Sequence, residues 1–302
     1  MIAGGLSAAA ALALPASNGK VRQGNRVLRI AHVTDTHLKL EGDAPARFAR
    51  CLEKIQRTEK PDLIIQGGDI VMDGLSQDRA VVQAQFDLAA RILKQAVSVP
   101  VMHCIGNHDV FGWNRPEART MAADPHFGKR WWLDWAGYNS TYYSFDRAGW
   151  HFVFLDSISP HAAHIYHGRL NEPQWQWLQD DLAKVSPTTP VCMVSHIPFL
   201  HAGAQFFGPC DQGGHGWHIG GTLLHTDGRR LKDLLVHHPN VKLCLSGHIH
   251  MFSRVHYNGV SHVSNGAVSG CWWKGDMQET HPGYGVVDLY ADGKIRSRFE
   301  TY

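Results

Sequence analysis

The chain has 302 residues, of which 44% are hydrophobic and 19% charged. That is a globular composition, which excludes a chain that is disordered, collagen-like or coiled coil throughout, and the length gives one or two domains that need no disulfide or metal staple. Lys plus Arg is 29 and Asp plus Glu is 27, a formal charge of +2, so the basic excess of a general nucleic-acid binder is missing. The unusual number is 21 histidines. Histidine is the commonest metal ligand and the usual proton shuttle, although scattered surface and core imidazoles would give the same count.

The first 14 residues, MIAGGLSAAAALAL, are almost all small or apolar, and Pro15, Ala16 and Ser17 follow. The stretch resembles the apolar region of a secretory signal ending in small residues. It is too short for a membrane span, which takes about 20 apolar residues. Residues 1–20 are therefore expected to be a signal remnant or a frayed N-terminus, and residues 26–302 a single domain. The expected location is periplasmic or secreted, or cytoplasmic if the stretch is not a signal.

Strands and helices then alternate. Residues 27–33 read as a short apolar strand, 46–58 as a helix with Phe48, Leu52 and Ile55 on one face, and 62–66 as a second strand. A helix is expected over 78–95, with Val82, Phe86, Ala89 and Leu93 aligned, and a third strand over 99–105. Residues 141–145 and 151–155 look like a hairpin, 172–184 a helix, 191–195 a strand, 228–238 a helix and 241–246 a strand. Strands at 252–257, 260–263, 284–290 and 294–299 are joined by Asn258-Gly259 and Asp292-Gly293, dipeptides that signal tight hairpins. The pattern predicts an α/β fold with two packed sheets and helices outside. Cys51, Cys104, Cys192 and Cys244 fall in apolar elements and read as packing residues. Cys210 and Cys271 lie in loops and could pair. No Cys-x-x-Cys occurs, which speaks against a thiolate zinc site.

Five polar segments each follow one of these apolar strands: Asp35-Thr36-His37, Gly68-Asp69, Gly106-Asn107-His108-Asp109, His196, and Gly247-His248-Ile249-His250. In an α/β sheet, ligands gather beyond the carboxyl ends of strands. If the chain stays extended there, residues two apart point the same way, so Asp35 with His37, and His248 with His250, would face one site. The donors are imidazoles, carboxylates and an amide oxygen without sulfur, a set that suits Mn, Fe, Co or Zn better than Ca or Mg alone. There are too many ligands for one ion and about enough for two. Singly, each segment is as readily an ordinary turn or a satisfied core histidine; the ordered set is what carries weight.

That order, Asp-x-His, Gly-Asp, Gly-Asn-His-Asp, His, Gly-His-x-His, resembles the calcineurin-like metallophosphoesterase family from about residue 28 to residue 250. The resemblance implies a four-layer αββα sandwich of two mixed sheets and two first-row metal ions. It assigns one ion to Asp35, His37, Asp69 and His250, and the other to Asp69, Asn107, His196 and His248, with Asp69 shared. His108 would be the catalytic histidine that is not a ligand, assisting the leaving group, and Asp109 would orient it. The implied reaction is hydrolysis of a phosphoester by in-line attack of a metal-bridging hydroxide on phosphorus.

Departures narrow the resemblance. Purple acid phosphatases carry a tyrosine ligand where this chain has Met72, and Gly68-Asp69-Ile70-Val71-Met72-Asp73-Gly74 lacks the arginine of the protein Ser/Thr phosphatases. The compact phosphodiesterases of cyclic-nucleotide and glycerophosphodiester type remain most similar. Phosphomonoesterase or pyrophosphatase activity on the same site, or a metal-binding scaffold, are the competing readings. The partner would be a small phosphoester and not a nucleic-acid polymer; no membrane span is expected, and homo-oligomerisation is left open. Two long irregular segments, 111–137 and 201–225, follow site motifs and could bind substrate. Trp113, the pair Trp131 and Trp132, and His218 are the candidate contacts, against the alternative that the tryptophans pack their loop onto the body. Trp272 and Trp273 could form another wall of the cleft.

Overall fold

The computed structural model describes residues 25–118, 120–162, 165–207 and 218–302. The expected signal remnant over residues 1–20 lies outside them, and so does Cys210, on which the expected pairing with Cys271 depends.

Strand β1 (Arg26–Val33) lies at the centre of a five-stranded sheet. It runs parallel to β2 (Leu63–Gln66), which is followed by β3 (Val101–His103), and its other neighbour in the sheet is an antiparallel strand near the C-terminus. The second sheet has six strands, with β4 (Tyr143–Arg147) and β5 (Trp150–Leu155) forming the expected hairpin at one edge. A small hairpin of β6 (Ile158–His161) and β7 (Ile165–Gly168) stands apart and was not visible in the sequence pattern. The second sheet continues with β8 (Val191–Ser195), β9 (Val241–Ser246), β10 (Ser253–Tyr257) and β11 (Val260–Ser264) in the order β10-β11-β9-β8-β5-β4. Strands β12 (Gly283–Tyr290) and β13 (Ile295–Thr301) return to complete the first sheet as β13-β12-β1-β2-β3.

Period-two alternation makes four layers from these strands, because each sheet is buried on both faces. Leu63 and Ile65 of β2 point into the space between the sheets, where they meet Phe152, Phe154, Cys192 and Val194. Ile64, between them, points outward against Phe48 and Leu52 of α1 (Ala44–Lys54) and Val82, Phe86 and Ala89 of α2 (Arg79–Ala96). On the second sheet Val153, Leu155, Val191 and Met193 face outward onto the remaining helices. The short α3 (Arg130–Ala136) lies in the 111–137 segment, while α4 (Glu172–Lys184) and α5 (Gly228–His237) cover that outer face with Trp175, Leu178, Leu182, Leu231 and Leu235. The helix expected over 46–58 runs as α1 and then widens into a π-type turn, Ile55–Glu59, ended by the left-handed Lys60. Cys51, Cys104, Cys192 and Cys244 are all buried, as packing residues should be. No helix among the described residues is long and apolar enough to cross a membrane.

One polar anchor holds α4 to the second sheet. His151 Nδ1 pairs with Asp146 Oδ1 at 2.7 Å, and its Nε2 with Asp181 Oδ2 at 2.9 Å. Burial alone would lower the imidazole, but the two carboxylates outweigh it and raise the pKa above the ordinary value. A histidine raised on folding stabilises fully below its unfolded pKa of about 6.5, and that stability fades as pH climbs through the folded value. His151→Asn is therefore expected to lower Tm most near pH 5–6 and least near pH 9. A Tm difference between wild type and variant that does not shrink with rising pH would remove the charged pairing from the account.

Candidate active site

All five polar segments leave the carboxyl ends of their strands on the same side of the two sheets. Asp35 and His37 follow β1, Asp69 follows β2, Asn107 and His108 follow β3, His196 follows β8, and His248 and His250 follow β9. Their donor atoms converge into three overlapping groups: Asp35, His37 and His250; Asp69, His196 and His248; and His37, Asp69 and His108.

The route of convergence differs from the expected one. These residues do not sit on extended backbone. Asp35 (φ 52°), His37 (φ 44°), Asp69 (φ 53°), His248 (φ 71°) and His250 (φ 62°) all adopt the left-handed conformation. That region is uncommon for residues other than glycine and tends to cluster where a site requires it. Cross-strand hydrogen bonds over-determine it here: Asp35 N–H donates to Gly68 O at 3.0 Å and His37 N–H to Asp69 O at 2.9 Å. Ser269 adds its N–H and its hydroxyl to the Asp35 carbonyl, at 3.3 and 2.7 Å. Two glycines admit the close approach. A Cβ on Gly106 would collide with Asp69 N and Oδ1, and one on Gly247 with Thr34 Oγ1 and Asp35 Oδ2.

Three of the four imidazoles, those of His196, His248 and His250, have one nitrogen fastened outward and the other aimed inward, while His37 Nδ1 is buried without a hydrogen-bond partner. His196 Nδ1 donates to Gly67 O at 2.8 Å, His250 Nδ1 to Gly270 O at 2.6 Å, and His248 Nε2 to Thr222 O at 2.8 Å. The free nitrogens then lie against one another. His37 Nε2 is 3.0 Å from His250 Nε2, and His248 Nδ1 is 3.2 Å from His196 Nε2. The carboxylates are divided in the same way. Asp35 Oδ2 accepts from His248 N–H and Thr34 Oγ1, while Oδ1 lies 3.3 Å from His250 Nε2 without a hydrogen-bond partner. Asp69 Oδ1 accepts the His108 N–H at 2.7 Å, while Oδ2 lies 3.2 Å from His196 Nε2 and 3.6 Å from His37 Nε2. Asn107 Oδ1 is buried and unpartnered.

Burying several imidazoles and carboxylates together is costly without a partner that accepts all of their lone pairs. Electrostatics report the conflict. Burial, with His196 beside it, drives His248 down to about 3. His196 is also lowered by burial, but the Asp69 and Asp35 carboxylates overcome this and push it up to about 10. Histidines that donate one N–H to a carbonyl and present the other nitrogen to a carboxylate-lined point have the arrangement of metal ligands. The unpartnered Asp35 Oδ1 and Asn107 Oδ1 and the facing imidazole nitrogens therefore fit metal cations.

His108 takes a different partner from the expected one. Its Nδ1 donates to the Met72 carbonyl at 2.8 Å, and its ring meets His37 edge-on with centroids 4.6 Å apart. Asp109 does not orient it. The Asp109 carboxylate is turned inward and accepts the backbone N–H groups of Asp69 (2.9 Å), Ile70 (2.8 Å), Val71 (3.3 Å) and Gly106 (2.9 Å). Burial and the nearby Asp69 charge push it up to about 6 against the pull of those donors. Its role is to tie the loop after β2 to the loop after β3.

The expected substrate contacts are mostly elsewhere. Trp131 and Trp132 are buried in the core, where Trp131 packs on Phe86 and Phe111, so this pair packs its segment and faces no ligand. Trp113 is half-buried against the same core with the Lys129 ammonium 5.6 Å from its ring, and no ring contact among the described residues links it to the histidine cluster. His218 is exposed, and what its segment brings to the cluster is the Thr222 carbonyl. His201 and His225 are occupied by structural bonds, to Met251 O and to Ser195 and Asp227. Two aromatic rings do border the cluster. Tyr166, on the unforeseen β6–β7 hairpin, lies 6.5 Å from the His248 ring. Trp272 lies 4.5 Å from the His250 ring and 5.8 Å from His37. Nothing in the local pattern around Tyr166 signalled this placement, whereas Trp272 was expected, with Trp273, as a wall of the cleft.

Comparison with known proteins agrees with this geometry. Residues 28–252 match the profile of the calcineurin-like phosphoesterases, so the chain belongs to that family and is a metal-dependent phosphoester hydrolase. Among its relatives is a 3',5'-cyclic-nucleotide phosphodiesterase of Nostoc sp. (strain PCC 7120), 24% identical over 287 residues, covering 90% of this chain and 92% of that protein. The 3',5'-cyclic adenosine monophosphate phosphodiesterase CpdA of Escherichia coli (strain K12) is 26% identical over 293 residues, with 90% and 89% covered. Among solved structures, a dimetal phosphatase from Danio rerio superposes with a TM-score of 0.62 at 17% identity, covering 91% of this chain and 96% of that one, which shows the shared fold.

Proposed function

We propose that this protein is a dinuclear phosphodiesterase acting on small diesters of the cyclic-nucleotide type. The observation that carries the reading is Asp69, whose inward oxygen lies between two histidine groups, 3.2 Å from His196 and 3.6 Å from His37. One ion would be held by Asp35, His37, Asp69 and His250, and the other by Asp69, Asn107, His196 and His248. Two ions held there supply charge neutralisation for the phosphoryl oxygens and a water acidic enough to be a nucleophile at neutral pH. His108, fixed by the Met72 carbonyl, presents Nε2 at the rim of the cluster. From there it can donate a hydrogen bond or a proton to the departing alkoxide. The likeness along nine-tenths of the chain to the two cyclic-nucleotide phosphodiesterases supports the choice of substrate class.

The test is a turnover comparison on protein stripped of metal and reloaded separately with Mn²⁺, Fe²⁺, Co²⁺ and Zn²⁺. Bis-p-nitrophenyl phosphate should be hydrolysed faster than p-nitrophenyl phosphate, and 3',5'-cyclic AMP should be cleaved in the same metal-dependent manner. Faster hydrolysis of the monoester would overturn the diesterase reading in favour of a phosphatase. Absence of turnover with every metal, despite binding, would favour the scaffold.

A further inference from the structure

The loop 269–275 places two bulky residues in succession, Trp272 (φ 49°) and Trp273 (φ 69°), in left-handed backbone. This is a costly conformation for large L side chains, and it persists only where surrounding structure enforces it. The enforcement is visible. Trp273 N–H donates to Ser269 O at 2.8 Å, Cys271 N–H to Gly275 O at 2.9 Å, and Ser269 is itself bonded to the Asp35 carbonyl. Trp273 is accounted for as an anchor: it is buried, its indole N–H donates to His37 O at 2.8 Å, and Arg47 lies over its ring at 5.1 Å. No such role explains Trp272. Its ring is half-buried at the rim of the cluster, tilted against His250 and close to His37, the ring that also touches His108.

An indole adds little to the binding of a phosphate anion, and shielding His250 from water would need only apolar bulk. What a flat, rigidly held ring offers beside an anion site is a stacking surface for a planar group attached to that anion. We propose that Trp272 sets the specificity of the site by stacking on the base of a nucleotide ester, so that base-bearing diesters are preferred over diesters with aliphatic alcohols. The proposal rests on the phosphodiesterase reading and names the substrate feature that this reading leaves open.

The test uses two diesters with the same leaving group, thymidine 5'-(p-nitrophenyl phosphate) and ethyl p-nitrophenyl phosphate, on metal-loaded wild type and on Trp272→Ala, Trp272→Leu and Trp272→Phe. The Ala and Leu variants should raise KM for the thymidine ester about ten-fold, the scale of one base–aromatic contact. They should leave kcat and the ethyl ester within about two-fold, and Phe should restore most of the loss. Equilibrium dialysis gives a second readout: Trp272→Ala should weaken 5'-AMP about ten-fold and leave ribose 5-phosphate unchanged. Equal losses for both esters, a fall in metal content, or full rescue by Leu would show that Trp272 only buttresses His250, and would overturn the proposal. If wild type prefers p-nitrophenyl phosphate to both diesters, the phosphodiesterase reading fails, while the comparison of 5'-AMP with ribose 5-phosphate still decides whether Trp272 stacks.

Discussion

Replacing His108 with alanine is expected to lower kcat by about 10²- to 10⁴-fold, the usual contribution of a positioned general acid. The expectation follows from position. His108 Nδ1 is committed to the Met72 carbonyl, and the ring edge meets His37 at the border of the metal-ligand cluster. Its backbone, not its side chain, carries the hydrogen bond to Asp69 Oδ1. Alanine keeps that N–H, so the Asp69 carboxylate stays in place and metal content should match wild type. The loss should also depend on the leaving group, being smallest for p-nitrophenolate, which departs without protonation, and largest for an alkoxide. A variant that loses metal together with activity would make His108 a ligand, as its grouping with His37 and Asp69 allows.

Asp109→Ala is expected to be the most destabilising single change at the site, by about 4 kcal/mol or more. The side chain is fully buried and accepts four backbone N–H groups from two loops. Its removal leaves those donors without an acceptor, and each buried unsatisfied group costs about 1–3 kcal/mol before relaxation. The damage should reach function indirectly. The backbone N–H groups of Asp69 and Gly106 both donate to Asp109, so the loop carrying the Asp69 carboxylate loses its fastening. Denaturant unfolding of the metal-free variant measures the stability term apart from metal binding. If Asp109→Ala unfolds at wild-type denaturant concentration and only kcat falls, then Asp109 acts on His108 after all.

Much of this arrangement was legible before the structure. Apolar runs such as residues 191–195 and 241–246 mark strands buried on both faces, and β8 and β9 occupy those spans. A polar cluster after each run places the chemistry at strand ends, which is where the side chains meet. What misled was the assumption of extended backbone. Asp35 and His37 share a site because both turn left-handed, held by Gly68 and Asp69 carbonyls that lie far along the chain. Outward fastening of the histidines was invisible for a related reason: it uses the carbonyls of Gly67, Thr222 and Gly270, and a sequence names side chains only. Asp109 illustrates a third limit. A carboxylate next to a candidate catalytic histidine in sequence suggests a pair, yet the turn that carries both, with Val110 N–H donating to Asn107 O at 3.4 Å, leaves the Asp109 carboxylate among backbone donors instead. Trp131 and Trp132 lie in a short helix that packs on α2, and the hydrophobic gain of burying two indoles outweighs their use at a cleft.

The proposed dinuclear site requires Asp69 to hold two metal ions at once. Titrating Mn²⁺ into stripped protein, with binding followed calorimetrically and by electron paramagnetic resonance, tests it most directly. Two equivalents should bind, with the isolated-ion signal giving way to a spin-coupled one as the second fills, and Asp69→Asn should abolish the coupling. A single equivalent, or two ions that remain uncoupled in the wild-type protein, would contradict the account.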